Sequence, residues 1–238
     1  MKRIPSFVKV ILSALLLFSC KNNQADLEDL ARRMAEMDGV EMSEVDEKRT
    51  AQLILKIRTL EDDIGGVIED QNNRAEFLKL LGLKYMDYRM WSLAAETFDG
   101  AVAVTPENSR LHYYRAVCLG QQAKAESDPV RTRELLLQAE EDYLIALEIE
   151  PGYSSAAYGL AILYVYELDR VYDGERLLDD LIRTDPSFIK GLMLRARLYE
   201  ADGDRGRAVE LYRRVREMGR DEEMLRTAEE RLKELGAR

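Results

Sequence analysis

His112 is the only histidine in the 238-residue chain, and Cys20 and Cys118 are its only cysteines. Nucleophilic catalysis of the Cys–His or Ser–His–Asp kind would therefore have to run through His112. His112 and Cys118 stand on one helical stretch, six residues apart. That separation turns them about 240° from one another around the axis, so no local dyad forms. The stretch Asp202-Gly203-Asp204-Arg205-Gly206 has a superficial likeness to a calcium loop. It lacks the spaced acidic ligands and the closing bidentate Glu, and Gly203 falls where two helices must turn. CxxC, HExxH and glycine-rich phosphate motifs do not occur. No catalytic residue, metal ligand or cofactor is assigned, and the expected function is not enzymatic.

The other cysteine suggests different chemistry. Lys2, Arg3 and Lys9 lead into an apolar run from Val10 to Phe18, followed by Ser19 and Cys20. The run is far short of the ~20 residues that span a bilayer, but it fits the hydrophobic region of a secretory signal. Leu17-Phe18-Ser19-Cys20 resembles the lipobox of bacterial lipoproteins, in which cleavage precedes a cysteine whose thiol carries lipid. Phe18 is bulkier than the usual residue there. The resemblance implies a signal peptide over 1–19, lipidation at Cys20, a polar tether over 20–44, and a place on the periplasmic side of the bacterial envelope. Loss of 1–19 would remove three positive charges from a chain of formal charge -10, leaving -13. With Cys20 acylated, Cys118 has no partner for an intrachain disulfide and reads as a small buried hydrophobe. Nucleic acid is not an expected partner of so acidic a chain.

At 46% hydrophobic and 34% charged residues with only 5 prolines, the composition is that of a globular chain rich in regular structure. One pattern repeats through it. Leu78-x2-Leu81-Gly82-x2-Tyr85 is followed by Ala94-x3-Phe98-x2-Ala101-x4-Pro106. The second half returns as Ala139-x3-Tyr143-x2-Ala146-x4-Pro151, as Gly174-x3-Leu178-x2-Leu181-x4-Pro186, and as Ala208-x3-Tyr212-x2-Val215 without the proline. The first half returns around Arg115-Ala116, Leu160-Ala161 and Arg195-Ala196. Small residues let helix backbones approach, bulky ones fill the neighbouring groove, and proline falls where one helix pair gives way to the next. The pattern serves packing.

These motifs resemble the tetratricopeptide-repeat family, whose unit is a pair of antiparallel helices. The expected fold is all-α: a right-handed superhelical solenoid with an N-terminal helix and a C-terminal capping helix. Four helix pairs are expected at about 75–108, 109–153, 154–188 and 189–219. The second carries an insertion around Asp128-Pro129 that should lengthen both its helices. A helical segment over 45–74 precedes them, and a cap over 220–238 started by Asp221 follows. Leu53, Ile57, Leu60, Ile64 and Val67 form a stripe that either packs on the first repeat or mediates homo-oligomerisation.

The resemblance further implies that the first helix of each pair lines a concave groove. Carried over, the groove consists of Lys79, Leu83 and Met86; Arg110, Tyr113, Tyr114 and Val117; Tyr158, Ile162 and Tyr166; and Met193 and Arg197. Family members that clamp chaperone tails use polar or basic groups where Leu83, Ser155 and Gly159 stand here, so that clamp is not expected. The expected function is a membrane-anchored scaffold that binds a protein or peptide partner through the groove. The alternative reading is an accessory ligand-binding subunit of an envelope transporter for small solutes.

Overall fold

The computed structural model describes residues 70–219 and 221–237, together with Gln52 alone upstream. The expected signal peptide and tether, Cys20 and the Leu53–Val67 stripe lie outside the described residues. Those described form nine helices and no strand. The first pair is α1 (Asp70–Asp87) with α2 (Trp91–Val104), and the second is α3 (Ser109–Ala125) with α4 (Pro129–Ile149). The third is α5 (Ser154–Tyr166) with α6 (Val171–Thr184), the fourth α7 (Ile189–Ala201) with α8 (Arg205–Met218), and α9 (Glu222–Glu234) closes the stack. No described helix is long and apolar enough to cross a membrane.

The recurring residues are the core. Ala94, Phe98, Ala101, Ala139, Ala146, Leu178, Ala208, Tyr212 and Val215 are fully enclosed, and Tyr143 and Leu181 nearly so. The glycine positions show how close the helices come. A Cβ on Gly82 would lie 2.7 Å from Cζ of Phe98, and one on Gly159 would lie 2.6 Å from Cε1 of Tyr143. Each aromatic ring fills the space that a missing side chain leaves, which fixes the register of the two helices.

Turn chemistry also repeats. Arg89 (φ 58°), Asp169 (φ 54°) and Gly203 (φ 78°) occupy the left-handed region at matching points between the helices of the first, third and fourth pairs. This conformation lets Met90, Arg170 and Asp204 donate backbone N–H bonds of 2.8–2.9 Å back to the carbonyls of Tyr85, Tyr164 and Tyr199. The second pair turns differently. Its helices run to 17 and 21 residues, and Asp128 caps α4 by accepting from Val130 N–H, with Pro129 in the first turn. Asp221 caps α9 in the same manner, accepting from Met224 N–H at 2.9 Å.

The buried residues do not form one continuous core. One cluster runs from Leu81 through Tyr143 to Leu168, and another joins Leu192, Tyr212, Val215 and Leu232. Between them lies a small set of Ala157, Ala161, Leu178, Leu181 and Leu194. The third pair feeds both the first cluster, through Ala156, Leu160, Leu163 and Tyr164, and the small middle one.

Candidate functional site: the concave groove

Five of the groove residues named from the sequence meet in one place. Tyr158, Ile162 and Tyr166 on α5 and Met193 and Arg197 on α7 line a cavity of about 520 Å³, with Lys190 and Leu194 also from α7. The spacing explains the convergence, because residues three, four and seven apart share a helix face. Packing fixes the Tyr158 ring: Phe188, in the loop before α7, meets it edge-on at 5.6 Å between centroids. Burial pushes the Tyr158 hydroxyl above its ordinary pKa, against the opposing pull of the nearby Arg197 charge, so it stays a proton donor.

The third wall was not foreseen. Asp221, Glu223, Met224 and Thr227 of α9 also line the cavity. In the sequence, Met224 reads as part of the cap's packing stripe, and nothing local marks it as a groove residue. Only the return of α9 across the end of the stack brings it there.

The other groove residues lie elsewhere. Leu83, Met86, Tyr113, Tyr114 and Val117 are half-buried and pack on the core of the first repeats. Tyr113 is the hub of an aromatic cluster, with ring centroids 5.2 Å from Tyr153, 5.3 Å from Tyr114 and 6.2 Å from Tyr143. Lys79 is tied to Glu76 at 2.6 Å. Arg110 sits in an open depression beside Thr105, Pro106 and Ile149, at the ends of the helix pairs. The groove therefore has a tight, aromatic-packed half and an open half.

The histidine is fully engaged. His112 is 4% exposed, with Nε2 at 2.8 Å from the Pro106 carbonyl and Nδ1 at 3.0 Å from Asp142. Asp142, itself 2% exposed, also accepts from Arg115 Nε at 2.7 Å and Nη2 at 2.6 Å. A ring with both nitrogens committed offers no free base to a substrate, so this network is a latch between the second pair and the preceding turn. Its members are 27 and 30 residues apart in sequence, out of reach of any local motif. The recurrence of Arg-Ala at Arg115 and Arg195 was the available signal. Each arginine reaches an aspartate 16 residues earlier, Asp99 and Asp179 respectively. Among the described residues no three His, Cys, Asp or Glu side chains come together as a metal site.

Fold and groove together define an α-solenoid of stacked helix pairs whose first helices share one lined face. This is the architecture of tetratricopeptide-repeat (TPR) proteins, which the chain resembles in fold and in its repeat pattern. A curated TPR repeat-containing protein of Borreliella burgdorferi is 24% identical over 209 residues, spanning 87% of this chain and 90% of that one. The crystal structure of a thermophilic TPR protein from Thermus thermophilus superposes with a TM-score of 0.61 at 17% identity, covering 88% of this chain and 99% of that one. YrrB, a TPR protein with an unusual peptide-binding site, superposes with a TM-score of 0.52 at 15% identity, covering 95% and 98% of the two chains. At such identities the two structures share the fold with this chain. No family model matches the sequence.

Proposed function

We propose that this chain is a protein-interaction scaffold of the bacterial envelope, anchored by lipid on Cys20 and binding a peptide or protein partner in the open half of its groove. The observation that carries the groove reading is the convergence of Tyr158, Ile162, Tyr166, Met193 and Arg197 on one cavity. Such a lining combines apolar area with a few polar groups, and a rigid wall lowers the entropy cost of binding. That YrrB has a peptide-binding site on the same fold supports the reading by analogy. The anchor rests on the lipobox-like Leu17-Phe18-Ser19-Cys20. Two or more acyl chains, at ~0.8 kcal/mol per buried CH₂, would hold the chain at a membrane for good.

Position-specific photo-crosslinking in cells tests the groove. A benzophenone amino acid at Ile162 should capture a discrete partner, and the same group at Tyr172, exposed on α6 outside the cavity, should not. Equal capture from both positions would remove the groove from the account. For the anchor, Cys20→Ala should move the protein from the membrane fraction to the aqueous one. A wild-type protein already found in the aqueous fraction would end the lipoprotein reading.

A further inference from the structure

The longest described helix is apolar on two sides. The second helices of the first, third and fourth pairs have 14 residues each, whereas α4 has 21. Its core side presents Leu135, Leu136, Ala139, Tyr143 and Ala146, all buried. On the opposite side Val130, Leu137 and Leu144 recur every seven residues and are 67%, 45% and 47% exposed. Seven residues make close to two turns, so the three draw one line about 21 Å long, roughly half a turn from Ala139. A helix in a soluble stack needs only one apolar stripe. Charges border the second one. Glu134, Glu141 and Glu148 follow one edge, each four residues after a stripe residue, and Arg133 and Glu140 follow the other. Glu134 pairs with Arg131 at 3.0 Å, and Glu140 accepts from Arg170 and Tyr164. Among the described residues Arg133, Glu141 and Glu148 enter no ion pair. Two uncompensated carboxylates thus border the stripe around Leu144, with Arg133 on the other edge near its start.

We infer that this outer face of α4 docks an amphipathic helix of a partner protein, its apolar seam along Val130, Leu137 and Leu144 and its lysines or arginines facing Glu141 and Glu148. An apolar repeat of seven suits the shallow crossing of coiled-coil packing, in which side chains of one helix fit between those of the other. Charges at the edges of such a seam choose the partner and its direction. A second copy of this chain is the poorer occupant. In an antiparallel two-fold pair each edge meets itself, which sets Glu141 against Glu134 of the other copy. In a parallel pair the edges exchange, and Glu141 meets Glu140 instead. Both arrangements oppose like charges across the seam. The face belongs to a second helix, whereas first helices line the groove, so one chain can hold two partners at once. The inference stands whether or not the groove binds peptide.

The test is fluorescence anisotropy of the full chain with three dye-labelled helical peptides of three heptads each. They share a leucine seam and differ only in carrying Lys, Gln or Glu along its edges. The Lys peptide should bind about tenfold more tightly than the Gln peptide at low salt, with the Glu peptide weakest, and added salt should shrink the differences. Glu141→Gln plus Glu148→Gln should cancel the Lys advantage while the Gln peptide binds as before. Leu137→Gln plus Leu144→Gln should weaken the Lys and Gln peptides alike, by about tenfold. All four side chains are exposed, so both double variants should melt like the parent. Undiminished Lys-peptide binding by the leucine variant would mean general attraction to an acidic surface and would overturn the inference. So would equal binding of the Lys and Gln peptides, or failure of all three to bind. Sedimentation of the chain alone supplies the remaining outcome. A dimer that the leucine variant abolishes would make a second copy the occupant and overturn the partner helix.

Discussion

Gly82 lies directly under the ring of Phe98, which would meet a Cβ there at 2.7–2.9 Å through three of its carbons. Phe98 is wholly buried and has nowhere to retreat. Gly82→Leu should therefore overpack the first helix pair and cost about 1–3 kcal/mol, read as a lower midpoint in urea unfolding. Gly206→Ser is the control, since only an Asp204 oxygen at 3.7 Å approaches that position, and its effect should stay within about 0.5 kcal/mol. A Gly82→Leu protein with unaltered stability would mean that these helices do not pack in this register.

Asp142 should be the most costly carboxylate to remove. It is buried, and it answers both His112 and Arg115. Asp142→Ala strands the two partners in the interior, an effect of about 3–5 kcal/mol. Asp99 also touches Arg115, but its side chain is 73% exposed, and Asp99→Ala should cost no more than about 1 kcal/mol. The comparison is made by urea unfolding of the two variants, and similar losses would contradict the latch.

Cys118 is fully enclosed, and burial pushes its thiol up to about 12. The thiolate is the reactive form, and at pH 8 only about one molecule in ten thousand would carry it. Iodoacetamide at that pH should leave Cys118 unmodified in the folded protein and alkylate it fully in denaturant, as intact mass would report. Because the folded pKa lies above the unfolded one, ionisation opposes folding. The thiol begins to destabilise the fold only above its ordinary range, and the loss grows until the pH passes the raised value.

Much of this fold is legible in the sequence because the repeat states its contacts more than once. Ala94, Phe98 and Ala101 announce Ala139, Tyr143 and Ala146, and all are core. Asp221 starts α9 as expected, by a mechanism that operates within a few residues, while Asp128, expected only in the insertion of the second pair, caps α4 with Pro129 in its first turn. Within the described residues α1 reaches back to Asp70, upstream of the repeat's first recognisable position, because the signature residues stand inside the helix rather than at its end. The groove was legible only in part. Family positions select one face of α3 and α5 alike, yet Tyr113 packs among tyrosines and Tyr158 borders open space. The difference comes from the neighbours: Tyr143 and Tyr153 crowd Tyr113 at the second pair, while α9 stands off from α5 and leaves a cavity. Met224 joined that cavity, and Asp142 joined His112, through contacts between distant segments that no local spacing encodes.

The central claim is that the open half of the concave groove holds the partner. The most direct measurement is titration calorimetry of the partner captured at Ile162 against the wild-type chain and against Tyr158→Ala plus Ile162→Ala. Tyr113→Ala serves as the packing control. The groove variant is expected to keep its helical far-ultraviolet spectrum and to lose ~2 kcal/mol or more of binding, roughly a thirtyfold rise in Kd. Tyr113→Ala is expected to lower the melting temperature while leaving Kd near the wild-type value. An unchanged Kd in the Tyr158→Ala plus Ile162→Ala protein, with the fold intact, would contradict the claim.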